Sequence, residues 1–316
     1  NVEIRDELVI IPYGRLSLIS FEMLDANEKG REVSYVLEKH PVRYELSASL
    51  MFNEYHKKRN PDLKRFGGFA SSNFNLSLPD TSGDTMRTSL IGTENEFLFG
   101  TSEEVKSINN IMNGDVYLNT KPFAFLNNAG NYKVLHIATH AFSDQGPFHE
   151  CKFLFETDSA GKNTVNDIEI ASMKLNARMT VLSACNTGLG QLHSSEGMIS
   201  LGRSFFIAGC PSVVMSLWTV NDASTSKIMT AFYSHLKKGE TKSEALRNAK
   251  LDYLKNETNP AKKHPYYWAG FIVVGNNSPL PSPDFLRLHW AAIMSSIAVV
   301  FIVLLYFRMR SNKTAA

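Results

Sequence analysis

Short apolar runs alternate along the chain with segments in which apolar residues recur at helical spacing. Runs of this kind are typical of buried strands, and they cover residues 8–14, 134–139, 179–184, 212–218 and 268–275. The helical spacing predicts helices over 101–112 and 196–208, and from 222 and 241 onwards. Strands buried on both faces and interleaved with helices predict an α/β fold with a mostly parallel sheet.

Three of the predicted helices carry capping signals. Thr101 with Glu104, and Thr241 with Glu244, match the capping box, in which each side chain accepts from the backbone N–H of the other residue. Asp222 precedes a further helical pattern and is predicted to be its N-cap.

The C-terminal segment is the longest apolar pattern. Residues 290–307 are eighteen residues without a charge, which at ~1.5 Å per residue is close to the thickness of a bilayer core, about 30 Å. Trp290 and Tyr306 stand near its ends, as interfacial aromatic residues do. We therefore predict a transmembrane helix over 290–307, after a Pro-rich linker over 277–289 and before a basic tail over 308–316. A buried core helix is the alternative.

The charges that flank this segment predict its orientation. Arg287 precedes it, whereas Arg308, Arg310 and Lys313 follow it. The positive-inside rule then puts the tail in the cytoplasm and the folded part on the extracytoplasmic, periplasmic side. A tail anchor with a cytosolic folded part is the alternative. Because the sequence opens on Asn1 without a signal-like segment, we expect further chain upstream.

Composition narrows the function classes. Lys and Arg number 33 against 31 Asp and Glu, so the formal net charge is +2, and direct nucleic-acid binding is not expected. The chain has three cysteines, Cys151, Cys185 and Cys210, and such a small, odd number argues against a disulfide framework. Neither a CxxC pair nor an HExxH motif occurs, so no metal and no cofactor are expected.

Two predicted strands end on reactive side chains. The strand over 134–139 leads into His140, and the strand over 179–184 leads into Cys185. In open α/β sheets, sites form where strands reach their carboxyl ends. A thiol becomes a nucleophile when a neighbouring imidazole takes its proton. The backbone N–H groups of Ala141 and Cys185 are then the candidate donors to an oxyanion.

Less reactive interpretations of these residue types also apply. Cys210 lies in an apolar stretch and is predicted to be a small buried hydrophobe, and Cys151 has no partner signal. His136 shares a strand face with His140 but stands in mid-strand, which favours a packed core residue. From placement alone, Cys185 is equally compatible with a nucleophile and with a buried thiol.

Longer motifs carry a family resemblance. They run in order from about residue 8 to residue 276, and they are LVIIPYGRLSLISFEML, YVLEKHPVRYELSASL, HIATHAFSD, VLSACNTGLG, EGMISLGRSFFIAGCPSVVMSLWTVNDAST and KKHPYYWAGFIVVGN. This series resembles the CHAT domain, a caspase- and separase-like cysteine peptidase module of clan CD that is often fused to TPR repeats.

The resemblance implies a caspase-like sandwich, with a mostly parallel sheet flanked by helices. It further implies a supporting N-terminal part over 1–120 and a catalytic part over 121–276, with Cys185 and His140 as the catalytic dyad. By resemblance to separase, Asp222 would line the S1 pocket and bind a basic P1 side chain, a task that suits a carboxylate. Asp144 is a weaker second candidate for substrate contact.

The predicted function is a membrane-anchored cysteine endopeptidase that cleaves after a basic P1 residue. Its expected partners are a protein or peptide substrate, an upstream TPR region or regulatory protein, and a membrane that holds the C-terminal helix. The alternative is a CHAT-type interaction or signalling scaffold that keeps the dyad and cleaves nothing.

Overall fold

A large sheet with helices on both faces forms the body of the protein in a computed structural model. The structure describes residues 6–27, 33–53, 62–71, 97–143, 151–183, 192–193, 197–198, 201–218, 220–281, 294–298 and 301.

The strands are β1 (Leu8–Ile10), β2 (Val42–Tyr44), β3 (Lys64–Ala70), β4 (Asp115–Tyr117), β5 (Tyr132–Ala138), β6 (His140–Ser143), β7 (Cys151–Leu154), β8 (Thr164–Asn166), β9 (Met179–Leu182), β10 (Leu192–His193), β11 (Gly197–Met198), β12 (Ser212–Ser216) and β13 (Phe271–Gly275). The α-helices are α1 (Val36–Lys39), α2 (Ala48–Asn53), α3 (Phe97–Met112), α4 (Pro122–Asn128), α5 (Asp167–Ala171), α6 (Leu201–Ile207), α7 (Asp222–Lys237) and α8 (Lys242–Asn256).

The main sheet has eight strands in the order β1-β2-β13-β12-β9-β5-β3-β4. The five strands from β12 to β4 are parallel, which confirms the predicted α/β fold with a mostly parallel sheet. β13 runs antiparallel to β12, and β2 and β1 follow its direction. A three-stranded antiparallel sheet, β6-β7-β8, branches off after β5. Both predicted parts, 1–120 and 121–276, contribute strands to the main sheet, and the division between them stays a prediction.

Apolar cores on both faces of the sheet hold the helices against it. One face packs α4, α5 and α6 through side chains such as Phe125 and Phe205. The other face packs α3, α7 and α8 through side chains such as Ile108, Phe232 and Leu246. Each of these five side chains is fully buried, and burial of one large apolar side chain contributes roughly 1.5–3 kcal/mol.

The two predicted capping boxes have different outcomes. Thr241 caps α8 as predicted, because its side chain accepts from the N–H of Glu244, whose carboxylate accepts from the N–H of Thr241 at 3.1 Å. The box predicted at Thr101 is wrong. Helix α3 already begins at Phe97, so Thr101 lies inside the helix, and the Glu104 side chain contacts the sheet instead.

The helix predicted over 196–208 begins later, at Leu201. Residues 197–198 pair with 192–193 in the short antiparallel ladder of β10 and β11, so they are not helical. The apolar pattern that begins at Leu201 is therefore the helical part of the prediction.

The C-terminal boundary of the folded part lies beyond the predicted residue 276. Lys242 donates from Nζ to the carbonyls of Asn276 at 2.8 Å and Ser278 at 2.9 Å. Leu280 is only 8% exposed and packs into the core on the α7 and α8 face. The first residues of the predicted linker are therefore attached to the fold.

The predicted membrane span, 290–307, lies for the most part outside the described residues. Residues 294–298 are helical, and Met294 and Ile297 are exposed there. Among the residues that the structure describes, no helix combines the length and the apolar character that crossing a bilayer requires. The span stays a prediction.

A buried ion pair joins the N-terminal segment to the last helix of the fold. Glu22 and Lys250 are 1% and 0% exposed, and the Lys250 ammonium donates to the Glu22 carboxylate and to the carbonyl of Phe271. Burial raises the pKa of Glu22 and lowers the pKa of Lys250, because desolvation outweighs the attraction between the two charges. The attraction between the two charges and the hydrogen bond between them offset part of this desolvation cost.

We expect Lys250→Met to lower the free energy of unfolding by about 3–5 kcal/mol, because Glu22 then stays buried without its counter-charge. The double substitution Glu22→Leu/Lys250→Met removes both charges and should recover most of this loss. Urea denaturation measures both. As a control, Lys255→Met, at an exposed position of the same helix, should change the free energy by at most about 0.5 kcal/mol. An equal loss in the single and double variants would contradict the role of the pair.

Candidate active site

The candidate site lies at the edge of the sheet where β5, β9 and β12 reach their carboxyl ends. β5 and β9 are parallel neighbours with Ile137 opposite Leu182, and the N–H of Ser183 donates to the Ile137 carbonyl at 2.9 Å. His140 is the third residue after Ile137, and Cys185 is the third residue after Leu182. The register therefore puts the ends of both strands, and His140, at the same edge of the sheet. Cys185 lies outside the described residues, so the dyad itself stays a prediction.

His140 is fixed at the start of β6. It stands opposite Leu154 of β7, and the hydroxyl of the preceding Thr139 donates to the Leu154 carbonyl. Burial lowers the pKa of His140 below its ordinary value of 6.5. At neutral pH the imidazole is thus mainly in the neutral form, which can accept a proton. Ala141, the predicted oxyanion donor, is 8% exposed and stands opposite Phe153 in the same ladder.

The other predicted thiols and Asp144 do not add to the described part of the site. Asp144 lies outside the described residues. Cys151 and Cys210 are buried and are not joined in a disulfide. The Cys210 Sγ accepts from the Thr180 hydroxyl at 3.3 Å and donates to the Ser212 carbonyl at 3.2 Å. The prediction that Cys210 is a small buried residue is confirmed.

Asp222 is the first residue of α7, and its predicted role as the N-cap is wrong. The N-cap is Asn221, whose Oδ1 accepts from the N–H of Ser224 at 3.2 Å. Within the described residues, no hydrogen bond or ion pair reaches the Asp222 carboxylate, which is half-buried. Because β12 pairs with β9 and α7 follows β12, Asp222 lies beyond the same strand ends as His140.

The surroundings of Asp222 disfavour its charge. Burial, and secondly the negative charge of Glu104, raise the pKa of Asp222 above its ordinary value of 3.8. Gly100 of α3 faces it, and a Cβ at Gly100 would lie 3.4 Å from the Asp222 Cβ, so α3 packs close beside Asp222 at this position. A bound cation would relieve the unfavourable electrostatics of this carboxylate.

Glu104 belongs to a buried polar network that the sequence did not reveal. The His136 imidazole is completely buried, with Nε2 2.9 Å from the Glu104 Oε1 and Nδ1 3.1 Å from the Tyr233 hydroxyl oxygen. Because a carboxylate only accepts, Nε2–H donates to Glu104, and Nδ1 is hydrogen-bonded to the Tyr233 hydroxyl. Burial raises the pKa of Tyr233 well above 10, and its hydroxyl keeps the donor proton. The prediction of a packed His136 is confirmed, and its partners connect the sheet with α3 and α7.

We expect Glu104→Gln to lower the pKa of Asp222, because the amide removes the neighbouring negative charge and its oxygen can still accept from His136. Carboxyl-carbon NMR titration measures this pKa. A raised folded-state pKa means that the stability contributed by Asp222 is full below 3.8 and is lost as the pH rises through the folded value. In Glu104→Gln, the stability contributed by Asp222 should therefore be lost at a lower pH than in the wild type.

Glu103→Gln is the matched control, because Glu103 is the exposed neighbour of Glu104 and pairs with Lys106. It should leave the pKa of Asp222 unchanged. Equal pKa values for Asp222 in the wild type and in Glu104→Gln would show that the Glu104 charge does not reach it.

Two curated proteins are similar in sequence to part of this chain. Mouse tetratricopeptide repeat protein 28 is 31% identical over 118 residues, which are 37% of this chain and 5% of that protein. The human protein of the same name is 32% identical over 118 residues, with the same shares. This chain thus spans about 5% of the length of the curated relatives that it matches.

A solved relative in fold is separase in the separase–securin complex of Saccharomyces cerevisiae. It has a TM-score of 0.53 and 13% sequence identity, and the similarity covers 87% of this chain and 16% of that chain. At this identity the likeness concerns the fold alone. Residues 1–276 match the CHAT domain, a match that covers most of the sequence, and the chain therefore belongs to the CHAT domain family.

Proposed function

We propose that this chain is a cysteine endopeptidase, with Cys185 as the nucleophile and His140 as the general base. The observation that carries the proposal is the parallel register of β5 and β9, in which Ile137 is opposite Leu182. His140 follows Ile137 by three residues, and Cys185 follows Leu182 by the same number. The lowered pKa of His140 is a second support, since a base must be unprotonated at neutral pH.

The proposed reaction proceeds through a thioester. His140 takes the thiol proton of Cys185, and the thiolate attacks the scissile carbonyl carbon. The backbone N–H groups of Ala141 and Cys185 donate to the oxyanion. His140 then gives its proton to the leaving amine as the C–N bond breaks. In the second half, His140 takes a proton from water and the hydroxide attacks the thioester carbon. The C–S bond then breaks, the carboxylic acid leaves, and His140 returns its proton to the Cys185 sulfur.

A basic P1 side chain is the proposed specificity of the enzyme, with Asp222 as its partner. Asp222 is half-buried, and its pKa is raised by burial and by Glu104. Both features disfavour an isolated negative charge, and a guanidinium or ammonium group would offset them. Asp144 is proposed as a further substrate contact.

Regulation and anchoring are the wider parts of the proposal. The matched curated relatives are tetratricopeptide repeat proteins, which supports control by an upstream TPR region or a regulatory protein. The eighteen uncharged residues over 290–307 support a membrane anchor. The basic residues after this segment favour an extracytoplasmic protease domain.

We expect Cys185→Ala to abolish cleavage of a fluorogenic peptide with Arg at P1, with a loss of at least about 10³-fold in kcat/KM because no thiolate remains. Cys151→Ala is the matched control, since Cys151 is a buried thiol of β7, and it should retain most of the activity. Equal rates for wild type and Cys185→Ala would refute the peptidase.

Alkylation separates the peptidase from a scaffold that cleaves nothing. In the wild-type protein, iodoacetamide should label Cys185 much faster than Cys151 or Cys210, because a neighbouring base raises the thiolate fraction of Cys185. Uniformly slow labelling of all three, together with no cleavage, would favour the scaffold.

We expect Asp222→Asn to lower kcat/KM for peptides with Arg or Lys at P1 by about 10- to 100-fold, because a charge-assisted hydrogen bond is worth about 1.5–3 kcal/mol. Cleavage of peptides with an uncharged P1 residue should not fall. Asp167→Asn is a matched control, because Asp167 is likewise the first residue of its helix. An unchanged P1 profile in Asp222→Asn would remove this residue from the S1 pocket.

A further inference from the structure

Four basic side chains meet at the edge of the sheet opposite the candidate active site. They are Arg65 near the start of β3, Lys133 near the start of β5, Arg178 just before β9, and Lys237 at the end of α7. All four line one shallow depression, which we call the basic depression. Within the described residues, no acidic side chain lines it.

The four charges lack counter-charges in the described part of the chain. None of them takes part in an ion pair or a side-chain hydrogen bond there. By contrast, the neighbouring Lys64 is paired with Asp115 at 2.6 Å. Like charges gathered without counter-charges repel one another, and they attract an anionic partner.

The floor of the basic depression is apolar. Val134 and Leu280 line it and are 2% and 8% exposed. A surface that combines cationic groups at the rim with apolar contacts suits a partner that has both anionic groups and apolar parts. The headgroup region of an anionic phospholipid layer has this chemistry.

The path of the chain after β13 favours a phospholipid layer as the partner of the basic depression. Because β13 runs antiparallel to β12, the chain leaves the sheet at the edge where β3, β5 and β9 begin. Leu280 and Pro281, which follow β13, line the basic depression themselves. From there, residues 282–289 can extend at most about 29 Å before the apolar segment 290–307 begins.

We propose that the basic depression docks onto the anionic lipid headgroups of the membrane that holds segment 290–307. Arg65, Lys133, Arg178 and Lys237 bind lipid phosphates, and this contact turns the edge that carries His140 away from the bilayer. The inference rests on the proposed membrane anchor but not on the proposed peptidase activity.

The test uses the full chain reconstituted in vesicles of phosphatidylcholine, alone or mixed with phosphatidylglycerol. A water-soluble acetylating reagent labels lysines, and mass spectrometry gives the rate at each position. We expect Lys133 and Lys237 to react about fivefold more slowly, or slower still, in the anionic vesicles, and high salt should remove the difference. Lys121 and Lys255, exposed lysines that do not line the basic depression, should react alike in both lipids.

A charge-neutral variant gives the second arm. Arg65→Gln/Arg178→Gln should lose most of the lipid-dependent protection of Lys133. Lys262→Gln/Lys263→Gln, in the turn before β13, should keep it. Equal acetylation of Lys133 in the two lipids would overturn the proposal.

Two further measurements show whether the docking proposal or the proposed membrane anchor has failed. If inorganic phosphate protects Lys133 in phosphatidylcholine vesicles as well as the anionic lipid does, the basic depression is a site for soluble anions and the docking proposal is wrong. Carbonate extraction separately tests the anchor, because only an inserted segment 290–307 resists it. A chain that carbonate releases from the vesicles would remove the anchor on which the inference rests. A chain that stays in the vesicles but shows equal acetylation of Lys133 in the two lipids would overturn the docking alone.

Discussion

The parallel pairing of β5 with β9 is the constraint on which the candidate site depends. Their hydrogen bonds fix Ile137 opposite Leu182, and a slip by one residue would reverse which side chains enter which core. Because apolar cores on both faces hold this register, the chain that follows each strand starts from a fixed point. The placement of His140, and the proposed placement of Cys185, are therefore consequences of core packing as much as of local sequence.

Two buried polar clusters connect this sheet with the helices on one face. Glu22 and Lys250 link the N-terminal segment to α8, and the Glu104–His136–Tyr233 network links α3 and α7 to β5. Such groups are costly when their partners are missing, so they penalise misplaced helices more than apolar contacts do. The second cluster also brings a negative charge near Asp222. One buried carboxylate thus serves packing and shapes the electrostatics of the candidate site.

The sequence predicted those parts of the fold in which local and tertiary preferences agree. The apolar runs at 134–139, 179–184 and 212–218 became β5, β9 and β12, and the family motifs identified the fold. The sequence-based predictions failed where tertiary contacts determine the position of a side chain. Glu104 matches a capping pattern but bonds to His136 from the inside of a helix. Asn221, one residue before Asp222, is the N-cap of α7. The partners of His136 lie 32 and 97 positions away, beyond the reach of any local pattern.

The reversed direction of β13 has a geometric consequence for a tethered enzyme. The seven residues of β5 separate the two edges of the sheet by roughly 23 Å. If the proposed tether leaves at one edge and the proposed cleavage site lies at the other, the body of the sheet would set the distance between the bilayer and that site. Target bonds would be selected by their height above the bilayer as well as by their sequence, and a cleavage site close to the lipid surface would pass beneath the enzyme's reach.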